Sequence, residues 1–417
     1  MMNKKTIGIL VYYWPPAGGS GVQRWLRFSN HLSELGWDVH IFTFSNPQYP
    51  ITDESLINYI NPKIKISRIK GFEVPRIFKK KSSAESYSNV EKNFFTFFLS
   101  FVRELFFFPD SRKFLISPSI KFIKNYNKKH SLNYLITTGP PHSMHYVGLK
   151  IKEQTKIKWI SDFRDPWSNF FQNKILNKLD LTQKKHLEAE SKIIENSDLI
   201  FTSSRSLKFL KSKYNNQYFI PSGFRSYIKS KPYSKFRILY VGSMKLIQNP
   251  DNLWRVLHEL IISNKNFRDS IEILLIGNID NDIIKSESFE KIKKYCQVKS
   301  YMPIKKLDNE ISLSKLLVVS AINLPNSSDL IPGKFFHYLS SSKTILGFSN
   351  EGSDLQKIID ETSSGKSFNY NNYNNLKKFI LERYKSFELN EDENKYLNTK
   401  YLSLNIAKKI QEIILKL

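Results

Sequence analysis

The sequence holds a single cysteine, Cys296, in 417 residues, so no intramolecular disulfide can form and no cysteine-based zinc cluster exists. That scarcity suits a reducing compartment. No apolar run approaches the ~18 residues that a membrane-spanning helix needs. The start, MMNKKTIGILVYYWPP, has the basic-then-apolar order of a signal peptide. Its apolar run stops at Pro15-Pro16 without a small-residue cleavage site, so a buried first strand is the expectation. Glycine is sparse, at 15 residues, and two fingerprints built on it are missing: neither G-x-G-x-x-G nor G-x-x-x-x-G-K-[ST] occurs. Acidic residues are also few. Against 64 Lys and Arg stand 38 Asp and Glu, a formal net charge of +26.

This positive charge is uneven: residues 1–230 carry 36 basic and 17 acidic residues (+19), and residues 231–417 carry 28 and 21 (+7). Nucleic acid, an anionic membrane surface and a phosphorylated substrate are all compatible with that excess. The absence of any RNP, helix-turn-helix or zinc-finger pattern, with the basic residues dispersed, argues against nucleic acid. With 41% apolar residues the chain is globular, and its length suits two or three domains.

Short apolar runs alternate with helix-length amphipathic stretches, the pattern of βαβ units and parallel sheets. In the first half the strand candidates are Thr6–Tyr13, Asp38–Phe44, Tyr134–Thr138, Lys158–Asp162, Leu199–Ser203 and Tyr218–Pro221. A second series runs through Phe236–Gly242, Ile271–Ile276, Val298–Tyr301, Leu316–Ile322 and Thr344–Phe348. A polar stretch with Pro232, Gly223–Lys235, is the cleanest boundary. The expected division is therefore a domain over 1–228, a second over 229–400 and a final helix over 401–417. One region breaks the pattern. Residues 94–108, FFTFFLSFVRELFFF, hold eight phenylalanines behind the basic stretch Arg76–Lys81. A packed core element and a helix in a membrane interface both fit it.

Doubly wound sheets bind ligands beyond the carboxyl ends of their strands, so loops that follow strands are where chemistry is sought. After the first strand comes PPAGGSGVQR, with Gly18, Gly19, Ser20 and Gly21 opening a helix that carries Arg24. Glycines admit close backbone approach and a helix N-terminus favours anions, although a tight turn alone would use some of them. In TTGPPHSMH, His142 and His145 share a helix face at i, i+3, either on one ligand or as structural groups. In SDFRDPW, Asp162, Arg164 and Asp165 make either a salt-bridged turn or a polar substrate site, with carboxylates able to orient hydroxyls or serve as base. In the second half Gly242, Ser243 and Lys245 follow a strand, and Gly333, Lys334 and His337 open a helix; both loops suit an anion. Asp280-Asn281-Asp282 reads D-x-D, a pattern too short to separate from a solvated loop.

Taken in order, YYWPPAGGSGVQRWLRFSNHLSELGWDVHIFT, TTGPPHSMH, SDFRDPW, VGSM…NP and IPGKFFHYLSSSKTILGF followed by EGSDL resemble a family 4 glycosyltransferase of the bacterial branch that carries DFRDPW. The resemblance covers about residues 5–360. It implies an α/β protein of the glycosyltransferase-B fold: two doubly wound Rossmann-like domains facing a cleft, with a C-terminal helix crossing back to the first. It further implies a retaining, metal-independent transferase acting in cell-surface polysaccharide or lipopolysaccharide biosynthesis, with no cofactor beyond a nucleotide diphosphate-sugar co-substrate. The acceptor, a glycan or lipid-linked, falls to the first domain, with His142, Asp162 and Asp165 as catalytic candidates and Gly18, Gly19, Ser20, Gly21, Arg24, His145 and Arg164 around them. The donor falls to the second domain, at Gly242, Ser243, Lys245, Asp329, Gly333, Lys334 and His337. The family's Glu-x7-Glu pair lands on Asp329 and His337, neither of them glutamate, and Ser243 stands where an arginine is usual. Two other readings arise: a lapsed transferase fold acting as a scaffold, and an epimerase or hydrolase on the same fold. The expected setting is cytoplasmic, at the inner face of an anionic membrane.

Overall fold

A computed structural model describes residues 5–73, 106–168, 180–207, 216–324, 327, 330–391 and 398–417. The Phe-rich segment up to residue 105 and Asp329 lie outside these residues. The chain forms two compact units, Met1–Ser222 with Ser403–Leu417, and Gly223–Leu402.

The first unit is built on seven parallel strands: β1 (Thr6–Leu10), β2 (Asp38–Phe44), β3 (Lys65–Ile69), β4 (Tyr134–Gly139), β5 (Lys158–Phe163), β6 (Leu199–Thr202) and β7 (Gln217–Phe219). They lie in the order β3-β2-β1-β4-β5-β6-β7. Among the described residues four helices cross between them: α1 (Ser20–Glu34), α2 (Ile116–His130), α3 (Ser143–Gln154) and α4 (Asp180–Asn196). Strand order reverses between β1 and β4, whose partners Leu10 and Thr137 bring two loops side by side. The loops after β1 and β4 therefore open at the switch point, where a crevice forms.

Helix α1 places Val22, Trp25, Phe28 and Leu32 at helical spacing against Ile7, Ile9 and Ile41. The C-terminal helix, Ser403–Ile414, joins the same core through Ile406, Ile410 and Ile414. Each such isoleucine contributes about 1.5–3 kcal/mol of burial. His31 Nε2 meets Ser403 Oγ at 3.0 Å, and Trp37 donates to Gln411 at 3.2 Å, fixing the register. The end of the chain thus returns to the first unit, as the resemblance implies.

The second unit has six parallel strands: β8 (Phe236–Val241), β9 (Ile271–Ile276), β10 (Cys296–Lys299), β11 (Leu316–Ser320), β12 (Thr344–Phe348) and β13 (Gly365–Phe368). Their order is β10-β9-β8-β11-β12-β13. Here the order reverses between β8 and β11. The longer helices are α5 (Asp251–Ser263), α6 (Ile304–Leu313), α7 (Gly333–Leu339), α8 (Asp354–Glu361) and α9 (Tyr373–Glu388).

Two of the thirteen strands, β3 and β13, have no counterpart among the expected ones, and β10 lies two residues earlier than its candidate. All three are edge strands with exposed positions. An edge strand buries little, so sequences such as KISRI carry no apolar run to announce them.

Candidate functional site

In the first unit the loop after β1 is pinned before it reaches α1. Gly18 N donates to Ile51 O at 2.9 Å and Asp53 N to Pro16 O at 2.8 Å. The three glycines do different work. A Cβ on Gly18 would stand 2.9 Å from the Ile51 side chain, and one on Gly21 would run into the Arg164 guanidinium. Gly19 has φ +82°, a left-handed conformation that glycine alone adopts freely, and faces open space. It caps α1 and, being glycine, supplies no side-chain cap to the free N–H groups there.

Arg24 does not reach this opening. It is 1% exposed and its Nη2 pairs with Asp162 Oδ1 at 2.6 Å, with Nε on Oδ2 at 3.3 Å. Trp25 Nε1 and Thr138 Oγ1 donate to the same Oδ2 at 2.8 and 2.7 Å, and Arg24 Nη1 donates to Ile220 O at 2.5 Å. Four donors from α1 and β4 therefore converge on one fully buried carboxylate at the end of β5. In this geometry the Asp162 carboxylate ties α1, β4 and β5 together. Asp165, paired with Arg164 at 3.3 Å, is the carboxylate whose side chain stays 35% exposed. The Arg164 guanidinium lies over the Tyr13 ring at 5.6 Å.

The two histidines of TTGPPHSMH come together above Gly139. A Cβ there would sit 2.6 Å from His145 Nε2 and 2.7 Å from His142 Nδ1, and both nitrogens are buried without a hydrogen-bond partner. His145 Nδ1 meets Thr137 Oγ1 at 2.9 Å, while the His142 ring bonds the Pro166 backbone and stacks on Trp167 at 4.8 Å, 1° from parallel. Burial holds the His142 imidazole well below its ordinary range and pushes His145 down to about 3. Both rings are thus neutral hydrogen-bonding groups, poor bases but suited to orienting a hydroxyl. Neither is expected to titrate from about pH 5 to pH 8, where a free imidazole changes charge. The side-chain NMR shifts of His142 and His145 should stay flat over that range. Unfolded histidines bind protons that these two refuse, so this pair removes stability as pH falls below about 6.5.

Sequence reasoning missed the supports of the 164–168 loop. Glu190, on α4 and 5% exposed, accepts from Ser168 N at 3.3 Å and from Ser168 Oγ. One turn earlier, His186 Nδ1 accepts from Trp167 Nε1 at 2.9 Å. Desolvation raises the pKa of Glu190. The only signal was the i, i+4 spacing of His186 and Glu190 on one helix face. Asp110 was also missed; it accepts the Ser143 N–H at 2.8 Å and so caps α3 beside His142.

In the second unit the turn after β8 is shaped by Gly242 at φ +97° and Gly277 at φ +128°; a Cβ on Gly277 would stand 2.5 Å from Gly242 O. The Lys334 side chain passes Gly242, with Nζ 3.6 Å from where a Cβ would be and 3.5 Å from the centre of the Tyr240 ring. Its stem is partly exposed, but Nζ itself is buried and has no hydrogen-bond partner. Burial holds this ammonium well below the usual lysine range. Gly333 precedes it at the start of α7. Ser243 is exposed, its carbonyl taken by Tyr240 Oη at 2.7 Å; Lys245 opens the following turn. His337 is engaged, with Nε2 2.6 Å from Asp308 Oδ1 on α6. Asp280 caps a short helix by accepting from Asp282 N at 3.2 Å, which accounts for the D-x-D letters. Among the described residues no group of three or more His, Cys, Asp or Glu is placed to hold a metal ion. No described helix is long and apolar enough to cross a membrane.

No protein-family model and no curated protein matches the chain. Solved structures do. Sucrose-phosphate synthase from Thermosynechococcus elongatus aligns with a TM-score of 0.64 at 15% identity over 99% of both chains. A Staphylococcus aureus TarM variant, in complex with Fondaparinux, alpha-GlcNAc-glycerol and UDP, aligns at 0.60 and 11% identity over 98% of this chain and 99% of its own. WaaG, a glycosyltransferase involved in lipopolysaccharide biosynthesis, aligns at 0.58 and 12% over 98% and 99%. With two switch-point sheets of six and seven strands, the chain has the glycosyltransferase-B fold.

Proposed function

We propose that the chain is a glycosyltransferase moving a sugar, with retention, from a nucleotide diphosphate donor to a glycan or lipid-linked acceptor in cell-surface polysaccharide assembly. One observation carries this reading: the Lys334 ammonium, buried without a hydrogen bond or counter-ion among the described residues, beside the Gly242 turn at the ligand edge of the second sheet. An isolated buried ammonium is costly, and an anion placed there would remove the cost. Breaking a sugar–diphosphate bond leaves negative charge on the departing diphosphate. A preorganised lysine stabilises that charge without a metal ion. Gly242, Ser243, Lys245 and Gly333 share this edge and complete the donor side in the proposal. On the acceptor side His142 and His145 orient a hydroxyl as neutral partners, and Arg164 and Asp165 are the charged groups that remain accessible. The TarM complex, which contains UDP, gives the proposal a nucleotide of the right class. The setting proposed is the inner face of a membrane.

Calorimetry against UDP, GDP and ADP tests it. A charge-assisted contact is worth about 1.5–3 kcal/mol, so Lys334→Ala should lower nucleotide affinity by roughly 10- to 100-fold. Unchanged affinity would remove the diphosphate role. A lapsed scaffold is the reading that His337 favours, since its imidazole is spent on Asp308. Failure of the wild-type chain to bind any of the three nucleotides would select that reading.

A further inference from the structure

The second unit has another cation-rich cavity at the opposite edge of its sheet. It opens at the amino ends of β8, β11 and β12, beside Phe236, Lys315 and Thr344, and has a volume of about 1300 Å³. The loops that carry Gly242 and follow β11 lie at the other ends of these strands. This cavity is therefore separate from the donor edge proposed above, and its argument does not depend on that proposal.

Its charge is one-sided. Lys229, Lys231, Lys315, Lys343 and Arg383 line it, with Glu391 the one acid among the described lining residues. Lys343 has a partner of its own. The other four make no ion pair among the described residues: Lys231 Nζ donates to the neutral Asn309 at 2.6 Å, Lys315 lies 5.6 Å from the Phe387 ring, and Arg383 lies 5.8 Å from Phe379. Two further donors on the cavity wall, Tyr227 Oη and Arg383 Nε, are buried with no hydrogen-bond partner. Buried polar groups are nearly always satisfied, so two unsatisfied donors among the lining residues mark a place where something else supplies the acceptor. A cavity of about 720 Å³ over α5 shows the contrast. Its cations are neutralised in place, Arg255 by Asp251 at 2.7 Å and Lys291 by Glu287 at 2.6 Å.

We infer that the cavity at the amino ends of β8, β11 and β12 binds a phosphate-bearing anion, with Lys315 and Arg383 as its charged contacts and Tyr227 as a neutral donor. Phosphate oxygens accept from all three, and the rings of Tyr233 and Phe387, which also line the cavity, suit a ligand with an apolar part. A soluble phosphate compound and a phospholipid headgroup share this chemistry, and the experiment separates them. The full chain carrying Lys334→Ala, which removes the donor-edge cation, is titrated with inorganic pyrophosphate. It is also floated with vesicles of phosphatidylglycerol or of phosphatidylcholine. The expected result is binding to pyrophosphate or to phosphatidylglycerol, weakened at least tenfold by adding Arg383→Gln and Lys315→Gln and weakened by salt. Phosphatidylglycerol binding without pyrophosphate binding assigns the site to a lipid headgroup; the reverse assigns it to a soluble phosphate. Lys229→Gln with Lys231→Gln, both at exposed positions that cannot disturb the core, should reduce binding several-fold and guards against misfolding of the first pair. The inference fails if Lys334→Ala alone abolishes all anion binding, or if the cavity substitutions leave the remaining affinity unchanged. Nucleotide binding at Lys334 in the otherwise native chain should be untouched by the cavity substitutions, so the two sites fail independently.

Discussion

Asp162→Ala is expected to destabilise the first unit by about 3–5 kcal/mol, the cost of removing one partner from a buried ion pair. The loss has a structural cause. Arg24 Nε and Nη2, Trp25 Nε1 and Thr138 Oγ1 all give up their acceptor, and the 1%-exposed guanidinium is left charged without compensation. Urea denaturation should show it as a lower midpoint with an unchanged slope. Arg24→Met should cost a similar amount by stranding the carboxylate. The double change Arg24→Met/Asp162→Leu should recover a large part of either loss, because an apolar pair removes both charges together. This double variant also decides what Asp162 does. If donor turnover follows the recovered fold, the residue positions the site. If turnover is lost in a fully folded double variant, the carboxylate meets the substrate.

That question arises because spacing reveals which residues are neighbours but not which way they face. Asp162 and Asp165 look equivalent in SDFRDPW. Placed at the end of β5, one points into the sheet and is consumed by α1, whereas the other remains at the surface. Arg24 misleads for the same reason: four positions into α1, at helical spacing, it turns from the ligand edge to the core. The buried strands were legible, since β2, β9 and β12 are almost wholly buried and mostly apolar, and their bounds match their sequence candidates. The polar edge strands β3 and β13 were not, for want of any apolar pattern. Glu190 and Asp110 were invisible because their partners, Ser168 and Ser143, lie 22 and 33 residues away, and no local pattern records a hydrogen bond of that range. The lysine at position 334 was legible as a cation in a helix-opening loop. Its lack of a hydrogen-bond partner is a property of the fold alone.

That lack makes Lys334 the site of the second large effect, a change with opposite signs for stability and for binding. Lys334→Met keeps the length of the side chain and removes a buried nitrogen that has no hydrogen bond. The ligand-free second unit should therefore gain about 1–3 kcal/mol, the cost of burying an unsatisfied polar group. Nucleotide affinity should meanwhile fall as in Lys334→Ala. The pH dependence fixes the sign independently. The folded chain holds Lys334 below its unfolded range of about 10.4, so between the two values the unfolded state binds the extra proton. Stability of the wild type should then climb with rising pH through that window, and the methionine variant should lack the climb. Measurements kept below about pH 9 avoid the buried Tyr240 and Tyr338, whose raised pKa values act only at higher pH. Binding of a diphosphate restores the charged form, so within the same window calorimetry in buffers of different ionisation enthalpy should register proton uptake by the wild type and none by Lys334→Met. A wild type that binds UDP, GDP or ADP without taking up a proton would mean that the nucleotide leaves Lys334 unengaged.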